Sequence, residues 1–219
     1  MDLINGREDL DARTCGLEST RGACRKASAG SRETSTLAAA LFPGEKLEPL
    51  GEGDLSFTCP PDGELHIGCF PGVSVVAAKE FGIDYPSRLP AHFIAAGGHG
   101  VVTLHAMHSV VDWFAYAVWA DGKLVRSLSL SPDSGVMEDI GPRLPFEEPY
   151  WFGAYPAVDD DEAPEAYPLP FHPLDLGEAA LKDRFGYQLE GFVDPSLLAP
   201  ESIPLVRYKR SRSPWWKLW

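Results

Sequence analysis

The sequence predicts an α+β fold: a mostly antiparallel sheet of about five or six strands with two or three helices packed on one face. Three observations carry that reading. Residues Trp113–Trp119 run WFAYAVW, and aromatic residues at that density fit a pleated, half-buried surface. Ala120-Asp121-Gly122 comes next, and Asp-Gly between two apolar runs is a strong hairpin signal. Lys123–Leu130 then returns as KLVRSLSL, with Val125, Ser127 and Ser129 on one face and Arg126, Leu128 and Leu130 on the other.

Residues 1–36 contain no aromatic side chain; the first is Phe42. Leu3, Ile4, Leu10 and Leu17 are too sparse for a core face, so this segment reads as disordered or loosely helical. Ser35–Phe42 reads as a short helix stopped by Pro43-Gly44. Leu55–Cys59 and Glu64–Phe70 flank Pro60-Pro61-Asp62-Gly63 and look like a second hairpin. Val73–Ala78 is a further strand or the start of a helix. Ser87 is placed to cap a helix over Arg88–Ala96. Pro90 is tolerable in its first turn, where amides lack helical partners, and Gly97-Gly98 ends it. Val101–His108 is β-branched and apolar at its start, as a strand would be. Ser131–Gly135 closes the central hairpin, because Pro lacks the ladder donor and Asp and Gly favour turns. Ala157–Pro170 is a loop. Asp175 and Glu178 have the spacing of a capping box for a helix running to Phe185 and closed by Gly186. Tyr187–Phe192 reads as the last strand.

The runs LHAMHSVVDWFAYAVW, DGKLVRSLSLSPDSG and, around Phe171, PLPFHPL resemble an uncharacterised family of actinobacterial proteins, a domain of unknown function. The resemblance covers roughly residues 37–204. It implies a soluble, single-domain protein and brings no activity with it. Members of that family open with a short apolar strand and an acidic turn, which residues 1–36 do not show, and the segment after about Leu205 departs as well. The chain thus divides into a loosely ordered segment over 1–36, one α+β domain over 37–206 and a basic, Trp-rich tail over 207–219.

Composition narrows the function classes. A length of 219 residues suits one domain with a sizeable core. Cysteines at 15, 24, 59 and 69 fit neither a zinc knuckle nor a redox motif, and with no secretory signal they read as reduced thiols in a cytoplasm. No apolar run approaches the ~20 residues that span a bilayer. The net charge is −13, and the last 13 residues hold five basic groups and no acid, leaving 14 basic groups against 32 acidic ones before them. Such a body repels phosphates, which argues against nucleic acid as a partner. No cofactor motif occurs: there is no phosphate loop, GxGxxG or HExxH.

His105, His108, Ser109 and Asp112 form the densest group of reactive residue types, and His105, His108 and Asp112 are the candidate catalytic set for a hydrolase-like reaction. In a strand, however, residues three apart point to opposite faces. The plainer account is one core histidine, one surface histidine and an Asp that caps a turn. Ser127, Ser129 and Ser131 form a row able to hydrogen-bond a ligand, or the solvent face of a sheet; without a GxSxG elbow no serine hydrolase is implied. Glu147 and Glu148 followed by Tyr150-Trp151-Phe152 place acids beside aromatics, as sugar-binding clefts do; solvated acids beside an aromatic core plug are the simpler account. The four acids Asp159–Glu162 lack calcium-loop spacing, so no metal is expected. Arg207, Lys209, Arg210, Arg212 and Lys217, interleaved with Trp215, Trp216 and Trp219, suit an anionic membrane surface or a protein partner, or a tail folded back on the acidic body. The leading expectation is a non-catalytic binding or interaction protein.

Overall fold

In the computed structural model, the described residues are 2–6, 31–157, 167–191 and 194–212. Among these residues, nine strands form one antiparallel sheet in the order β2-β9-β3-β4-β1-β5-β6-β7-β8. They are β1 Asp2–Gly6, β2 Glu45–Asp54, β3 Glu64–Phe70, β4 Val73–Ala77, β5 Val101–His108, β6 Trp113–Ala120, β7 Lys123–Ser131, β8 Gly135–Ile140 and β9 Pro204–Arg212. Four α-helices accompany them among the described residues: α1 Ser31–Leu41, α2 Ala91–Ala95, α3 Glu148–Trp151 and α4 Pro173–Phe185. The α+β class is as predicted, but the sheet has nine strands rather than five or six.

The predicted central hairpin is present as β6 and β7. Asp121 and Gly122, both at positive φ, 48° and 74°, form a two-residue turn whose right-handed twist matches the strands it joins. Two other pairings differ from the sequence reading. Glu64–Phe70 pairs not with Leu55–Cys59 but with Val73–Ala77, through a Pro71-Gly72 turn in which Gly72 takes φ 84°. The last strand is Pro204–Arg212, not Tyr187–Phe192; Tyr187 instead buries its ring in the core.

β1 stands between two four-stranded blocks, pairing with β4 on one side and β5 on the other. The sequence reading has no strand there. Five residues without an amphipathic pattern carry no strand signal, and the two neighbours supply the partners. β2 was equally invisible. It is a mostly exposed edge strand with Pro49 and a bulge between Pro49 and Gly51, features that an edge tolerates and a central strand does not.

Alternation along the strands makes two buried faces, and helices cover both, not one. On the first face, Leu65, Ile67, Leu104 and Trp119 pack with Ala38 and Leu41 of α1 and with Phe81, Leu89 and Phe93 of the 79–95 segment. On the second, Phe114, Tyr116, Leu128 and Leu130 pack with Leu176 and Ala180 of α4 and with Phe171. Phe70, Val75 and Leu205 extend that face under Leu181, Tyr187, Leu198 and Ile203. Helix α4 approaches the sheet closely at Gly177, where a Cβ would sit 2.4 Å from Met107 Sδ. Only glycine lets the helix backbone come that near.

Local signals at two helix starts were redirected. Ser87 caps no helix; its hydroxyl and amide both serve Glu138, and a 3-10 turn over Pro86–Arg88 takes the place of the predicted first turn. Helix α4 is capped by His172 rather than Asp175, and Glu178 accepts the Leu189 and Glu190 amides instead of closing a capping box. The predicted stop at Gly186 holds, with φ 73°.

Candidate functional site

Arg126 lies in the apolar row of β7 with Leu128 and Leu130, and its side chain is fully buried. The guanidinium makes a paired contact with Glu147, from Nε to Oε1 at 2.9 Å and from Nη2 to Oε2 at 2.6 Å. Its third nitrogen donates to Asp139 at 2.5 Å and to the Ile140 carbonyl at 3.0 Å. Burial works against the charge of Arg126, but Glu147 and then Asp139 outweigh it, and the pKa is raised. Glu147 also accepts the Leu144 amide at 3.1 Å. Planar guanidinium and carboxylate match two bonds at once, so this contact fixes where the chain after β8 crosses the sheet, and with it α3.

Helix α3 carries Tyr150 and Trp151, both packed edge-on against Phe171, with centroids 5.6 and 4.9 Å away. Arg143 lies over the Trp151 ring at 4.2 Å. Tyr150 meets Tyr155 at 4.8 Å and donates its hydroxyl to the Asp175 carbonyl at 3.1 Å. Burial, then the nearby Asp175 and Tyr155, raise the Tyr150 pKa to about 12.

Next to this group, His172 accepts the Leu174 amide on Nδ1 at 3.3 Å as the cap of α4. The neutral ring therefore carries its proton on Nε2, which faces Asp112 Oδ2 at 3.4 Å. Asp112 ends the β5–β6 loop at φ 46°, a left-handed conformation that Asp adopts more readily than most residues. Tyr167 stacks on His172 with ring planes 21° apart. Burial, then Asp112 and Asp175, raise its pKa to about 12. Val110, Phe152 and Tyr155 are 83, 81 and 55% exposed. One end of the sheet thus gathers acids, a histidine and exposed aromatic and apolar side chains from separate segments.

The sequence candidates fall in different places. His105 is buried on the second face, with Nε2 3.0 Å from the Gly177 carbonyl; His108, three residues on in a regular strand, is exposed on the other side. Asp112 meets neither in an ion pair; its histidine is His172. Ser127 and Ser129 are fully buried, so their row is not a solvent face: the 3-10 turn at Pro86–Arg88 covers it, and Ser127 donates to Glu138 beneath it. Glu147 is held by Arg126, while Glu148 is exposed in the first turn of α3. Tyr150 and Trp151 belong to the aromatic group around Phe171. His172, Tyr155 and Tyr167 were missed. The available signal for His172 was its place before Pro173, where a helix cap sits.

Among the described residues, no three His, Cys, Asp or Glu side chains are placed to share a metal ion. The acid run Asp159–Glu162 lies outside the described residues. Four of the five basic residues of the tail, Arg207, Lys209, Arg210 and Arg212, belong to β9. Arg207 pairs with Glu64 at 3.2 Å, and Arg210 pairs with Glu45 at 3.2 Å and Glu80 at 2.5 Å while lying over the Phe42 ring. Trp215, Trp216, Lys217 and Trp219 lie outside the described residues.

Fold and site together describe an α+β domain with a solvent-facing cluster at one sheet end. The chain belongs to a family of unknown function, DUF6928, whose sequence model matches residues 19–208, somewhat beyond the span of the resemblance read from the sequence. No curated protein and no solved structure matches the chain.

Two outcomes follow. Glu147→Leu leaves a buried cation held mainly by Asp139 and should cost about 3–5 kcal/mol in urea denaturation. Arg126→Met should cost about as much. The double variant should cost far less than their sum; additive losses would show that the pair is not coupled. The second outcome concerns acid. Burial holds His105 at about 3, against an ordinary 6.5, so between those values the unfolded chain binds more protons than the folded one. Stability is complete above about pH 6.5 and falls as pH drops toward 3. His105→Gln should lose less stability between pH 7 and pH 5 than the parent, and equal losses would contradict the assignment.

Proposed function

We propose that the protein is a non-catalytic binding or interaction protein whose recognition surface is the sheet end bearing Val110, Asp112, Phe152, Tyr155, Tyr167 and His172. One observation carries the reading: both ring nitrogens of His172 are engaged, Nδ1 accepting the Leu174 amide and Nε2 facing Asp112 Oδ2 at 3.4 Å. A general base needs a free lone pair aimed at substrate, and this ring offers none in its neutral form. Exposed aromatic and apolar side chains around a fixed polar pair are instead what a partner surface requires. The buried carboxylates Glu138 and Glu147 have structural partners in Ser87 and Arg126.

No helix among the described residues is long and apolar enough to cross a membrane. Cys59 and Cys69 are free thiols, which supports a cytoplasmic setting. The membrane reading of the tail rests on residues 213–219, since the arginines before them are occupied by carboxylates.

A second reading, a hydrolase-like enzyme, is favoured by the Asp112–His172 pair alone. Both are tested together. Native mass spectrometry should show a partner retained by the parent protein and by Phe57→Ser, a distant exposed control, but lost from a Val110→Ser/Phe152→Ser/Tyr155→Ser variant of unchanged melting temperature. Retention by the triple variant would overturn the surface. Turnover of chromogenic esters, glycosides or phosphates that disappears in His172→Ala would replace the binding reading with the enzymatic one.

A further inference from the structure

The recognition surface proposed above is acidic as well as aromatic, and the inference here rests on that reading. Its side chains adjoin one another: Tyr155 meets Tyr150, Tyr150 reaches the Asp175 carbonyl, and Tyr167 stacks on His172, which faces Asp112. Asp112 and Asp175 both lie close enough to Tyr167 to act on its hydroxyl. Glu148 stands one helical turn before Phe152, on the same side of α3. Glu148 and Asp175 are exposed and form no ion pair among the described residues. Exposed rings beside free carboxylates suit an occupant that is both aromatic and cationic.

The chain carries such a segment. Residues 213–219 read SPWWKLW, three tryptophans and one lysine with no acid. They follow Arg212, the last residue of β9. Arg207, His66, Ala77, Asp2 and His105 stand in one row across β9, β3, β4, β1 and β5. Because neighbours are antiparallel, β9 and β5 run the same way, and Arg212 lies at the sheet end that bears the β5–β6 loop and the cluster. The cluster packs over β6, five strand spacings from β9, roughly 24 Å. Seven residues reach at most about 25 Å when fully extended, which leaves none to lie along the cluster of the same chain. A second copy is under no such limit.

We infer that residues 213–219 of one copy dock on the Val110–Phe152–Tyr155 surface of a second, with the tryptophans on those side chains and Lys217 beside Glu148 and Asp175. Exchanged both ways, the contact closes a two-fold dimer. Tryptophan supplies buried area, and the lysine directs the segment to an acidic surface rather than to any apolar one.

Sedimentation velocity tests this on full-length chains. The parent should dimerise with a Kd below about 100 μM. Two variants should stay monomeric: Trp215→Ser/Trp216→Ser/Trp219→Ser, which loses the segment, and Val110→Ser/Phe152→Ser/Tyr155→Ser, which loses the surface. Mixed, the two should associate with each other, more weakly than the parent because one contact replaces two. Lys217→Glu should weaken dimerisation at least about tenfold, which mere stickiness of tryptophan would not. A monomeric parent, a dimer that survives loss of the tryptophans, no association on mixing, or an unaffected Lys217→Glu variant would each overturn the inference. The surface reading fails separately: it stands if the tryptophan variant still retains, in native mass spectrometry, a partner that the surface variant loses.

Discussion

The contact between Arg126 and Glu147 is the constraint on which much of the second face depends. A guanidinium inside a sheet's apolar row is costly unless matched in both charge and shape. Glu147 matches it with two bonds, and Asp139 and the Ile140 carbonyl take up the remaining donors. The chain between β8 and α3 therefore has little choice of path. Gly141, at φ 82°, lies against the Val125 carbonyl, where any Cβ would collide with backbone. The crossing is held by charge on one side and by steric exclusion on the other.

From that fixed point the rest of the outer layer follows. Helix α3 places Tyr150 and Trp151 on Phe171, and Phe171 precedes the His172 cap of α4. His172 then meets Asp112 from the β5–β6 loop. The surface cluster is thus a downstream consequence of packing. The loops that carry it are tethered to the sheet through aromatic contacts and one buried ion pair. A binding surface gains from such tethering, because side chains held in place before a partner arrives cost less to order on binding.

What was legible in the sequence is what rests on local chemistry. The β6–β7 hairpin could be read because aromatic strands and an Asp-Gly turn act over a few residues, and Gly186 because a left-handed helix end needs glycine. What was illegible depends on distant partners. β1 is a strand because β4 and β5 leave a gap for it. β9 looked like a loose basic tail because its arginines find Glu45, Glu64 and Glu80, more than a hundred residues away. Ser127 and Ser129 looked solvent-facing because strand alternation shows that two faces exist but not which is covered. For the site, alternation correctly separated His105 from His108. Asp112 was recognised as reactive without its true partner, since sixty residues separate it from His172. Arg126 itself was readable as an anomaly, a charge in a row with two leucines, which in a buried strand implies an opposite charge above it.

Native-state hydrogen exchange on Glu147→Gln, compared with the parent protein, tests this dependence most directly. If the ion pair anchors the outer layer, the Glu147, Tyr150, Trp151 and Gly153 amides should lose protection while those of β5 and β6 keep theirs. Unchanged protection across α3, or an equal loss through the sheet, would contradict the account.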